Sequence, residues 1–185
     1  MKNRIVLIFI TILAFYSTKL EAQVYAYNNF TVTIYDVCNM RIFPSGTISL
    51  NLLATTAGNS MINQTNSSSN LQLTSIAPAN QTRKITAIIS SGNVPAGTRF
   101  QLTPFPCTVD TGTGSGTFGT ASSTMILDRN VQKDVITGIG SCYTGTSSTS
   151  GYRLLYSWGI DPVNYNQLRA TSTVSITITY TVISL

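Results

Sequence analysis

The chain has 185 residues, with 11 Lys and Arg against 6 Asp and Glu, a net charge of +5 and no histidine. Without histidine, Ser–His–Asp triads, Cys–His dyads and histidine metal sites are ruled out. Glu is absent after Glu21, so a catalytic carboxylate pair would have to come from five Asp residues, and Asp36, Asp110, Asp128, Asp134 and Asp161 mostly stand at strand ends or turns.

Lys2 and Arg4 precede an apolar run, Ile5 to Tyr16, and Leu20-Glu21-Ala22 offers a small residue at a cleavage point. This predicts a signal peptide over 1–22 and a secreted mature domain over 23–185, at the periplasm, cell surface or outside the cell. The apolar run is too short to span a bilayer and no second one follows, so no membrane span is expected in the mature chain. Beyond residue 22 there are eight basic and five acidic residues, and only Arg83 and Lys84 are adjacent. A nucleic-acid surface needs a basic stripe, so none is expected. The polar surface is instead neutral, with 26 Thr, 20 Ser and 13 Asn from Gln23 onward.

Phe30-Thr31-Val32-Thr33-Ile34-Tyr35 alternates apolar and polar residues, which predicts a strand with Phe30, Val32 and Ile34 on one face. Consecutive strands usually pair, so this one is expected in its own sheet. Its place near the loose Gln23–Asn29 stretch allows the alternative, an edge strand donated to another chain. Cys38 to Phe43 continues the pattern, Pro44-Ser45-Gly46 reads as a turn, and Ile48 to Ala54 starts on strand period again. Residues 55–70, rich in Asn, Ser and Thr, read as a long loop.

Leu71–Ser75 and Arg83–Ser90 are predicted strands, the latter with Ile85, Ala87 and Ile89 in phase. Asn93-Val94-Pro95-Ala96-Gly97-Thr98 suits a type I turn into a strand at Phe100–Thr103. The glycine cluster at 112–119 lacks the following helix that a phosphate cradle requires, and reads as a bent loop. Thr124–Asp128 and Lys133–Thr137 are short strands. Tyr152 to Ile160 places Tyr152, Leu154, Tyr156, Trp158 and Ile160 on one face, and Thr173 to Ile183 alternates strictly. Nothing recurs at helical spacing. About nine short strands between turn-rich loops predict an all-β antiparallel β-sandwich, immunoglobulin-like, or a related barrel.

Export permits a disulfide among Cys38, Cys107 and Cys142, and the odd count leaves one over. Three pairings exist. Cys107 and Cys142, both at loop–strand borders, are the favoured pair, with Cys38 unpaired.

Phe30-Thr31-Val32-Thr33-Ile34 running into Val37-Cys38, and Leu168-Arg169-Ala170 leading to Val174–Tyr180, resemble the opening and closing strands of spore coat protein U and fimbrial subunits. That resemblance implies a secreted, non-enzymatic surface subunit with no cofactor, some members of the group polymerising when one N-terminal strand completes a neighbour's sheet. The expected partners are like subunits or other envelope proteins. The alternative is a carbohydrate-binding module, with Tyr152, Tyr156 and Trp158 as a platform for a glycan, although Leu154 and Ile160 on the same parity favour a buried face.

Overall fold

A computed structural model describes residues 28–54, 56–110, 113–170 and 173–185. The expected signal peptide over 1–22 lies outside them. The chain divides into two units, Met1–Ile34 and Tyr35–Leu185, and the second holds every strand found among the described residues.

That second unit is an antiparallel β-sandwich. Its strands are β1 (Val37–Phe43), β2 (Gln64–Ile76), β3 (Arg83–Ser91), β4 (Thr98–Thr108), β5 (Ser115–Gly116), β6 (Thr120–Ala121), β7 (Met125–Ile126), β8 (Lys133–Ile139), β9 (Cys142–Tyr143), β10 (Gly151–Ile160) and β11 (Thr177–Ser184). One sheet runs β5-β9-β2-β10-β4-β7, with β1 also on β2; the other runs β11-β3-β8-β6. Every ladder between these strands is antiparallel, and an isolated bridge from Ile89 to Arg129 is parallel. Among the described residues, no helix is long and apolar enough to cross a membrane.

The alternating runs read from the sequence supply the core. Ile85, Ala87 and Ile89 of β3 meet Leu71, Leu102, Tyr152 and Leu154 from the opposite sheet, all with no exposed surface. Burial of branched and aromatic side chains between two sheets supplies the main stabilisation of such a layer pair. Where β10 begins, Gly151 has φ 103°, and a Cβ there would stand 2.3 Å from the Leu71 carbonyl oxygen. Only glycine allows that close approach.

Several elements depart from the sequence pattern. Residues 28–36 form no strand. β2 ends at Ile76, opposite Val37, so none of β2 remains for residues before Val37 to pair with. The described residues of 44–63 also form no ladder, although Ile48 and Leu50 still pack against the core. Conversely, the polar stretch Gln64–Asn70 is the first half of β2, held by pairing with Trp158 to Arg153 of β10. The turn before β4 puts Pro95 at its first position, its carbonyl accepting from Thr98 N–H at 3.1 Å. Gly97 then sits third with φ 75°, the type II arrangement rather than type I.

The two sheets are also joined by side-chain polar contacts. The hydroxyls of Tyr156 on β10 and Tyr180 on β11 lie 2.8 Å apart, and burial pushes both phenols above their ordinary range. Each tyrosine satisfies the other. Tyr156→Phe and Tyr180→Phe are each expected to lose about 1 kcal/mol, and the double variant less than the sum of the two. Urea unfolding of the four proteins measures that coupling.

Candidate functional site

At one end of the sandwich the two sheets leave open edges. Among the described residues, β1 pairs only with β2, and β11 only with β3. Between them is a groove of about 400 Å³ lined by Asp36, Cys38, Met40, Arg83, Val182 and Ser184. The apolar residues of both edge strands, Met40 and Ile42 on β1 and Ile178, Tyr180 and Val182 on β11, are packed on the core yet only partly buried. An edge strand presents unpaired N–H and C=O groups, and a half-buried apolar row beside it gives an incoming strand somewhere to seat its side chains.

Arg83 closes the floor of this groove. It starts β3, is 2% exposed, and reaches across to the other sheet. Its guanidinium donates to the Val37 carbonyl at 3.2 Å, to the Ile76 carbonyl at 3.2 Å, to the Ser75 hydroxyl and to the Asp36 carboxylate. A guanidinium cannot lose its proton, so burying it demands this many acceptors. Arg83 and Asp36 stood in the sequence as an unremarkable cation and a turn-former; only the register of β1, β2 and β3 brings them together.

In the other unit, which precedes Tyr35 in sequence, Phe30, Val32 and Ile34 are 84%, 83% and 76% exposed. Three apolar side chains at alternate positions are thus presented to solvent by a segment with no regular structure.

The structure places the remaining sequence-predicted residues elsewhere. Tyr152 is fully buried and Tyr156 is 6% exposed, its ring 6.1 Å from that of Phe100. Tyr152 donates to the Phe118 carbonyl. Trp158 is partly buried on the same core face, with its indole N–H enclosed and unpartnered. A sugar-stacking platform needs exposed ring faces, and Tyr152 and Tyr156 offer none, because Leu154 and Ile160 on their parity draw the whole face inward.

The cysteines are all free thiols, so the expected Cys107–Cys142 bond is not formed. Cys107 lies on β4 opposite Tyr152, and Cys142 lies on β9, which has no ladder with β4. Cys38 and Cys142 oppose Ser75 from its two sides. Two strand spacings separate them by about 10 Å, beyond the reach of a disulfide. Burial pushes the Cys107 thiol up to about 12 and that of Cys142 up to about 11. Among the described residues no cluster of His, Cys, Asp or Glu is arranged to hold a metal.

With this geometry in view, comparison with known proteins adds nothing: no family model, curated protein or solved structure matches the chain.

Two outcomes follow from the groove's construction. Arg83→Ala takes the donor from four acceptors and opens a cavity, and is expected to cost about 3 kcal/mol in urea unfolding. Asp36→Asn is expected to cost under about 1 kcal/mol, because Asp36 is 54% exposed and an amide oxygen still accepts. With a thiol-reactive chromophore, exposed Cys38 reacts first in the native protein, and all three cysteines react in denaturant. One reactive thiol in denaturant would instead mean a disulfide.

Proposed function

We propose that this chain is a secreted, non-enzymatic structural subunit of a surface or extracellular assembly, joined to its neighbours by strand addition. The observation that carries this reading is a matched pair. One segment offers alternating, exposed Phe30, Val32 and Ile34 without a sheet of its own. The sandwich offers a groove between two open strand edges, with partly buried apolar residues along it.

A strand laid in that groove would pair its backbone with a free edge and seat every second side chain against the core. Donor and acceptor are different surfaces, so the contact is heterologous and builds chains rather than closed dimers. The pairing of N-terminal strand and groove agrees with the resemblance to fimbrial subunits and spore coat protein U. The composition supports the non-enzymatic part: no histidine anywhere and no Glu after Glu21 leave few groups for acid–base work.

Size-exclusion chromatography with light scattering tests the reading. A protein beginning at Gln23 is expected to form concentration-dependent chains, and Val32→Asp to reduce it to a folded monomer. A strict monomer in both, or a Val32→Asp protein that unfolds, contradicts donation between copies.

A further inference from the structure

The outer face of the sheet containing β1, β2, β10 and β4 carries two arginines held in an unusual way. Arg41 on β1 donates its Nε to Gln72 Oε1 at 2.8 Å, and its guanidinium lies 5.2 Å from the Phe43 ring centre. Gln72 is 4% exposed, and its amide nitrogen donates to the Ser147 and Ser150 carbonyls of the loop that covers it. Arg153 on β10 stacks 4.0 Å above the Phe105 ring.

Register places both arginines on one face. Arg41 opposes Gln72 and Arg153 opposes Asn70, two residues along the same strand. Two strand spacings and two residues separate their Cα atoms by about 12 Å. Tyr143 opposes Thr74 on that face and is 48% exposed.

The other strand-borne arginines near carboxylates are used: Arg83 meets Asp36 and Arg99 meets Asp161. Neither Arg41 nor Arg153 meets a carboxylate among the described residues. Stacking and the buried Gln72 fix the guanidinium of Arg41 while leaving its two terminal nitrogens unused, the arrangement that takes a carboxylate in bidentate fashion.

We infer that this face binds an acidic polysaccharide, with Arg41 and Arg153 taking carboxylates along the sugar chain and Tyr143 stacking on a pyranose ring. Two fixed cations on strands that flank β2, one on each side of the loop whose Ser147, Ser148 and Ser150 carbonyls cap Gln72 and Asn70, call for a ligand with repeated acid groups, and an exposed aromatic ring beside neutral hydroxyls suits sugars. A second copy of the chain is a poor match. Of its five carboxylates beyond residue 22, Asp36, Asp134 and Asp161 are ion-paired and Asp110 accepts from three hydroxyls. The inference is independent of strand donation, since it uses the opposite face of β1 and β2.

Polygalacturonate, dextran and single-stranded DNA are titrated against the protein beginning at Gln23 by calorimetry. Binding is expected for polygalacturonate and not for dextran. Arg41→Gln and Arg153→Gln should each weaken it about tenfold, the scale of one charge-assisted contact. Arg129→Gln, at an exposed arginine that bonds Asn93, should leave it unchanged. Thermal unfolding checks that each variant is folded. Equal affinity for dextran, loss no greater than in Arg129→Gln, or DNA bound as tightly as polygalacturonate would overturn the assignment.

Discussion

A permanent positive charge sits almost without solvent at the mouth of this sandwich. Arg83 belongs to one sheet, and its acceptors belong to the other sheet or to the residue just before it. Burying a guanidinium is unfavourable unless its donors are met, so the contact fixes how the start of β1, the end of β2 and the start of β3 come together. Everything around the groove follows from that. β1 is held at the sheet's margin, β11 runs beside β3 on the other layer, and the space between them stays open.

The tyrosine pair serves a related purpose further in. Hydroxyl to hydroxyl, Tyr156 and Tyr180 let an edge strand carry a large aromatic residue on its inner face without leaving a buried polar atom unmet. The core side of β11 is thereby anchored while its outer edge is left without a strand. A strand at a sheet margin keeps one row of backbone N–H and C=O groups unpaired, which is the surface the proposed strand addition uses.

Much of the sandwich was legible in the chain because side-chain alternation is a local signal. Ile85, Ala87 and Ile89, and Tyr152, Leu154 and Tyr156, announce a buried face through their own spacing, and the structure buries them. What failed was whatever depends on a partner. Gln64–Asn70 looks like loop by composition and is a strand because β10 pairs with it. Phe30–Ile34 looks like strand by alternation and has no ladder, because β2 ends opposite Val37. The groove was illegible for the same reason: Asp36 and Arg83 lie 47 positions apart, and only strand register joins them. Loop–strand borders likewise suggested Cys107 and Cys142 as partners, whereas bonding depends on the distance and direction between two Cβ atoms, which border position does not set.

Strand addition as proposed requires the free edge of β11 to accept an extended strand. Amide hydrogen exchange of Thr177–Ser184, followed with and without a synthetic peptide of residues 28–36 supplied in excess, tests it most directly. Addition of the peptide should slow exchange at alternate residues of β11, those whose N–H groups face away from β3, and leave β8 unchanged. Exchange along β11 that is indifferent to the peptide would contradict strand addition at this edge.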